Sequence, residues 1–295
     1  MKTKTLTKIG ILAISIFTLQ SCMADLRTST VKKNEISSEN ITKGKELLTK
    51  AWKAQGFDKL KNHTTYSYTG EDSWKGMMGK MGKVWPNSKA KLNFKCEIGT
   101  FDSQVTFMDG KRKGTTAGLQ NWNYYEKEEN SEVKFLKTNK RINFGLAAFQ
   151  YFSEMIDRLR KAPIIRYAGE KEFKGKKYDL VFCTWYEESP HKKADQYMAW
   201  INKETGIMDY TQYTLRDNYL KMPGGQMFYG GIEFSDLKEI DGILIPHKQT
   251  VYLNKIKKNQ DKHVHQIVIS DFKFDSFKLE ELKPNKNLEE SGDKK

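Results

Sequence analysis

YDLVFCTW (Tyr178–Trp185), QYMAWIN (Gln196–Asn202), IMDYTQYTL (Ile207–Leu215), QMFYGGIEF (Gln226–Phe234) and ILIPHKQTVYL (Ile243–Leu253) follow one another closely, each rich in aromatic and β-branched residues. Turn chemistry separates them: Ser189-Pro190, Glu204-Thr205-Gly206, Pro223-Gly224-Gly225 and Asp241-Gly242. Short strands joined by tight turns pair antiparallel, because a parallel neighbour needs a crossover of about a dozen residues. The stretch therefore predicts a large antiparallel sheet. Its strands are not one-sided. Tyr178, Leu180 and Phe182 share one face of the first while Val181, Cys183 and Trp185 share the other. A sheet wetted on one side alternates cleanly, so both faces here need cover.

Working outward, the nearest large cover is a helix. From Phe144 to Leu159 the period changes to 3.6, with Ala148, Phe152, Met155 and Leu159 on one line and Phe149 and Ile156 beside it. A sheet curved around this helix would bury so broad an apolar face. A second helix is predicted from a cap at Thr42 to about Gln55, with Leu47, Leu48, Ala51 and Trp52 as its buried stripe. Further strands are expected at His63–Glu71, Leu92–Ile98, Phe101–Met108, Lys111–Ala117, around Tyr124-Tyr125, at Val133–Lys137 and at His263–Phe274. The fold class is mainly β with a few helices (α+β), in one domain over residues 42–279.

One segment breaks the pattern. Between Trp74 and Trp85, Gly76, Gly79 and Gly82 are interleaved with Met77, Met78 and Met81, with neither helical nor strand periodicity and no phosphate-loop spacing. Methionine on a pliant backbone suits adaptable apolar contact. Two readings stand: a lid or membrane-dipping loop over an apolar cavity, or a loop whose Trp and Met fill the core.

The first 22 residues speak of export. Lys2, Lys4 and Lys8 precede an apolar run of 11 residues, Ile9–Leu19, too short to span a bilayer and laid out as a secretory signal. Leu19-Gln20-Ser21-Cys22 then has the form of a bacterial lipobox, which makes Cys22 the acylated N-terminus of the mature chain and residues 1–21 a signal peptide. Residues 22–41 read as a flexible tether reaching about 25 Å, and residues 280–295 as a charged, disordered tail. The expected location is the cell envelope, with the anchor in the outer membrane facing the periplasm.

Of 295 residues 30% are charged, and the formal net charge is +14; losing residues 1–21 removes three lysines and no acid and leaves +11. For an exported protein this suits anionic lipid surfaces better than nucleic acid, although scattered lysines also simply solubilise a surface. Cys96 and Cys183 remain after Cys22; two buried thiols are the default reading and a bridge the alternative.

The segments YAGEKEFKGKKYDLV (Tyr167–Val181), YMAWINKETG (Tyr197–Gly206) and FSDLKEIDGILIP (Phe234–Pro246) resemble the outer-membrane lipoprotein-sorting group of LolA, LolB and RseB-like proteins, over roughly Thr42 to Phe277. The resemblance implies a strongly curved antiparallel half-barrel, with helices in its mouth and an apolar concavity that accepts acyl chains or apolar peptide. It lies in the order of strands and turns and carries no family site residue onto this chain.

Catalytic motifs of the GxSxG, HExxH and CxxC kinds are absent. His263 and His265 share a strand face with Asp271, but no further ligand has metal-site spacing. Glu187 and Glu188 are adjacent and point apart, Glu170 and Glu172 belong to a wet strand, and His191 is a turn residue. The expectation is a non-enzymatic, membrane-anchored lipoprotein with no cofactor or metal that holds a lipid or acyl chain. Its candidate lining is Trp74, Met77, Met78, Met81, Trp85, Phe149, Phe152, Met155 and Ile156. The rival is a module that binds or senses an envelope protein on the same scaffold. An enzyme of unknown type comes third.

Overall fold

The structure, a computed structural model, describes residues 23–32, 37–216, 225–254, 256–257 and 262–289. The signal segment and Cys22 lie outside the described residues. Thirteen strands form one antiparallel sheet: β1 Thr65–Trp74, β2 Lys89–Glu97, β3 Ser103–Phe107, β4 Thr116–Gln120, β5 Asn123–Lys127, β6 Lys134–Phe135, β7 Ile164–Phe173, β8 Lys176–Thr184, β9 Gln196–Asn202, β10 Met208–Thr214, β11 Tyr229–Ile240, β12 Ile243–Leu253 and β13 His265–Phe274. Their order is β6-β5-β4-β3-β2-β1-β13-β12-β11-β10-β9-β8-β7, so the sheet stays open between β6 and β7 and curves as a half-barrel. The Asp241-Gly242 hairpin forms as the sequence predicts: Ile240 pairs with Ile243, and both turn residues have positive φ, 53° and 77°. Such turns match the right-handed twist of the strands they join.

Four helices pack with the sheet, α1 Ser38–Ala54, α2 Gly76–Gly82, α3 Lys140–Ser153 and α4 Met155–Arg160, and a single helical turn forms at Ser29–Lys32. Leu48 and Ala51 of α1, Leu146 and Phe149 of α3, and Met155, Ile156 and Leu159 of α4 fill the concave face together with inward residues such as Val181, Cys183, Ala199 and Ile232. Cys96 and Cys183 are both buried and free. Outward residues of the same strands, Tyr178, Leu180, Phe182, Met198, Trp200 and Tyr210, build a second cluster on the convex face. Among the described residues no helix is long and apolar enough to cross a membrane.

Several boundaries differ from the sequence reading. Ser37, not Thr42, caps α1, accepting from the Asn40 backbone N–H at 3.1 Å. The single helix expected over Phe144–Leu159 is two, broken at Glu154 (φ −106°, ψ 16°). There Glu154 turns inward, accepts from Gly99 N at 3.1 Å and pairs with Arg158 at 3.0 Å. The strand expected at Lys111–Ala117 begins only at Thr116, after a turn of 3-10 helix at Gly110–Arg112. The aperiodic Trp74–Trp85 segment contains α2. Gly79 is needed there, since a Cβ would stand 2.4 Å from the Val264 carbonyl oxygen.

Both ends of the domain are longer than composition suggests. In the expected tether, residues 24–32 form a strap on the convex face. Leu26 N donates to Gln196 Oε1 at 2.9 Å, Thr28 Oγ1 donates to the Ala168 carbonyl at 2.8 Å, and Val31 is buried. In the expected disordered tail, Leu282 is fully buried and Asn123 donates to the Glu289 carbonyl at 2.8 Å; residues 290–295 lie outside the described residues. Both segments hold on partly through backbone groups, which a reading of side chains does not register, and partly through a few isolated apolar side chains.

Candidate functional site

α3 has two apolar stripes. Ile142, Leu146 and Phe149 enter the core, while Phe144, Ala147, Ala148, Tyr151 and Phe152, also at helical spacing, line a cavity of about 410 Å³. The remaining walls come from distant parts of the chain: Phe101 and Trp122 from the β2–β3 and β4–β5 connections, Trp185 and Lys192–Asp195 from the β8–β9 loop, Tyr197 from β9, and Tyr213–Arg216 at the end of β10. The volume is at the small end of ligand pockets, enough for one chain or one compact molecule.

Aromatic contacts fix the walls. Tyr151 stacks on Tyr197 with centroids 5.4 Å apart, Phe152 meets Tyr213 at 5.3 Å, Trp185 meets Tyr197 edge-on at 5.6 Å, and Phe101 meets Trp122 at 4.9 Å. Trp122 occupies the second turn position between β4 and β5 with φ 62°. The left-handed region costs a residue with a Cβ about 1–2 kcal/mol, and a bulky side chain there is an outlier. At this turn the strained backbone carries an indole that forms a cavity wall.

The interior is electrically quiet. Burial raises the pKa of Tyr151 and of Tyr197 well above the usual phenol range, so both remain neutral. Polar groups collect at the β10 end. Asp195 Oδ1 accepts from Thr214 Oγ1 at 3.0 Å and from Arg216 N at 2.8 Å. The buried Arg216 guanidinium donates to the Gln226 carbonyl at 3.0 Å and to the Ala24 carbonyl at 2.6 Å. Burial draws the Arg216 pKa below its ordinary value, opposed by Asp195 and Asp25. Exposed Lys192 and Lys193 stand beside this end of the chamber.

The nine residues singled out from the sequence divide into three groups. Phe152 lines the cavity. Trp85, Phe149, Met155 and Ile156 are core: Trp85 is 1% exposed and packs against Phe94, Phe107 and Phe149. Trp74, Met77, Met78 and Met81 lie on or beside α2, away from the cavity walls. Trp74 stacks on His265 at 4.1 Å and donates to Asp72, while Met77 is 75% exposed. The walls that sequence reasoning missed, Phe101, Trp122, Tyr151, Trp185, Tyr197 and Tyr213, come from strand ends and turns. One signal was available: α3 is apolar almost all round, more than a single buried face needs.

The other polar residues weighed from sequence stay apart from the chamber or are engaged. His265 Nε2 pairs with Asp72 at 2.5 Å in the core, and Asp271 is exposed beside Ser270. Glu188 pairs with Arg166 at 2.6 Å, and His191 stacks on Tyr186 at 4.3 Å. Among the described residues no three His, Cys, Asp or Glu side chains gather where they could hold a metal ion.

No protein-family model matches the sequence, and no curated protein matches it. Solved structures do match. An outer membrane lipoprotein-sorting protein domain from Vibrio parahaemolyticus aligns with a TM-score of 0.53 at 12% identity, covering 82% of this chain and 97% of that one. A DUF1329 family protein from Desulfovibrio piger gives 0.48 at 14% identity, covering 82% and 95%. A LolA superfamily protein from Nitrosomonas europaea gives 0.46 at 10% identity, covering 80% and 94%. The open antiparallel sheet, the helices in its concavity and the match to nearly the whole lipoprotein-sorting domain over 82% of this chain together identify its fold as LolA-like.

Proposed function

We propose that this chain is an envelope lipoprotein, anchored in the outer membrane through acylated Cys22 and facing the periplasm, that holds one apolar ligand and carries out no reaction. The ligand is a lipid or an acyl chain, seated between α3 and the ends of β8–β10. The observation that carries the reading is the aromatic chamber of about 410 Å³ on a LolA-like scaffold. Its walls suit holding: the phenols are neutral, and Asp195 is engaged by Thr214 and Arg216. Burial supplies the affinity, about 0.8 kcal/mol per methylene before the cost of association. Of the sequence candidates, Phe152 joins this lining directly, and Phe149, Met155 and Ile156 support it from the core.

The test is mass spectrometry of organic extracts of the purified protein, with a fluorescent fatty-acid titration beside it. The parent protein is expected to carry lipid and to bind the probe saturably. Ala148→Trp, which puts an indole into the chamber, is expected to abolish binding with unchanged circular dichroism. Empty extracts and no saturable binding by the parent would sink the reading. One dominant protein cross-linked in cells, alongside empty extracts, would favour a partner-binding module instead.

A further inference from the structure

Successive loops of an antiparallel sheet alternate between its two rims. One rim here carries the β1–β2, β3–β4, β5–β6, β8–β9, β10–β11 and β12–β13 connections. Eight large apolar side chains are more than a third exposed among the described residues. Five of them, Met77, Met81, Met108, Tyr186 and Met227, lie on this rim; Phe135 and Val268 lie within strands, and Leu136, just past β6, lies toward the opposite rim.

Met77 and Met81 are displayed by a fixed element. α2 lies on the Val264 carbonyl through Gly79, and Arg141 holds its C-terminal end by donating to the carbonyls of Met81 and Lys83 at 2.9 and 2.8 Å. The two methionines are one helical turn apart and so share a face. Their surroundings are basic: residues 75–89 contain Lys75, Lys80, Lys83 and Lys89 and no acid. Further along, Lys193 Nζ lies 5.6 Å from the Tyr186 ring centroid, Glu187 is paired with His191 and Glu188 with Arg166, and the acidic β5–β6 turn sits at the far end of the rim. An apolar face set among lysines suits the headgroup boundary of an anionic bilayer, where each lysine contributes about 1 kcal/mol.

The strap ends on this same rim. Ala24 N donates to the Gln226 carbonyl at 2.8 Å and the Ala24 carbonyl accepts from Arg216. Cys22 precedes Ala24 by two residues, a reach of at most about 7 Å. From there to the α2 end of β1 is three inter-strand steps, roughly 14 Å. An acylated Cys22 is therefore a short leash rather than a long tether.

We propose that this rim, with α2, Tyr186 and Met227, is docked on the anionic bilayer that holds the anchor, so that the cavity end at Arg216 faces the lipid. The inference rests on the Cys22 anchor of the reading above. It assigns the α2 methionines to a membrane surface rather than to the cavity.

M77C and T205C, the latter on the opposite rim, each receive a fluorophore in the acylated mature chain; Cys96 and Cys183 are buried and stay unlabelled. The chains are reconstituted into phosphatidylcholine–phosphatidylglycerol vesicles containing nitroxide-labelled lipid. Quenching at position 77 is expected to exceed that at 205 several-fold and to fall in pure phosphatidylcholine. Equal quenching at both positions, stronger quenching at 205, or none at 77 overturns the proposal. So does photo-cross-linking from position 77 to a protein without lipid quenching. The acyl content of the Cys22 peptide is read separately by mass. Its absence would refute the anchor, and the same quenching on the unlipidated C22S chain would still decide the rim.

Discussion

Trp122 is the residue where structure and proposed function pull against each other. A positive φ of 62° in a two-residue hairpin turn after Asn121 is a position glycine would occupy at little cost, yet an indole stands there against Phe101 and the cavity. Trp122→Gly relieves about 1–2 kcal/mol of backbone strain and removes a half-buried ring, so the two effects on stability largely offset. The expected outcome is a thermal midpoint within a few degrees of the parent, with fatty-acid affinity down at least several-fold. Unchanged affinity would remove Trp122 from the site. No sequence pattern exposes this residue, because its importance lies in a backbone conformation and a neighbour about 20 residues away. Phe152 was legible because it repeats at helical spacing with Ala148 and Met155, and so were the buried Phe149 and Ile156. What helical spacing could not tell was which stripe faces filled core and which faces empty space.

At the scale of elements, the strap decides whether the convex face is dry. Without it, the outward cluster around Tyr178, Phe182, Met198 and Trp200 would form an apolar patch on the sheet. Leu26 and Val31 cover it, and the Asp25–Arg27–Lys32 ion group fixes the strap's turn. Burial alone would raise the Asp25 pKa, but hydrogen bonds from Arg27 and Lys32 outweigh it and hold the carboxyl below its ordinary value. A depressed pKa stabilises the folded state above the unfolded-state value and loses that contribution as pH falls through the folded one. Val31→Asp removes a buried side chain, about 1.5–3 kcal/mol of apolar burial, and adds an unpaired charge at the seam. The variant is expected to unfold at lower urea and to bind a hydrophobic dye in buffer, with fatty-acid affinity retained because the cavity is on the other face. Unchanged dye binding and urea midpoint would mean the strap covers nothing of consequence. The need for cover was readable from the two-sided strands; its source was not, since two apolar residues in a polar segment give no periodic signal.

Across the whole molecule, the half-barrel was the most legible level because alternation and turn chemistry are local, as in the Asp241-Gly242 hairpin. The cavity was the least legible, its walls drawn from segments that meet only when the sheet curls. The same curl couples the two halves of the sheet. Phe149 of α3 packs on Trp85 and Phe94 beside β1–β3, while Tyr151 and Phe152, two and three residues on, pack on Tyr197 and Tyr213 of β9 and β10. Trp52 of α1 donates to Asp157 of α4 at 2.8 Å and ties the remaining helices together. Strands β8–β10 in turn carry both clusters, one on each face. Losing either half therefore strips α3 of one wall and exposes the core of the other, so a 13-stranded sheet held this way should unfold as one unit. Trp85 reports on the first half and Trp200 on the convex cluster of the second. Trp85→Phe removes the first report and Trp200→Phe the second; in each variant, followed in urea by the fluorescence of the five remaining tryptophans and by far-ultraviolet circular dichroism, the two midpoints are expected to coincide. Separate midpoints would mean that α3 is seated on one half alone and that the cavity opens before the sheet does.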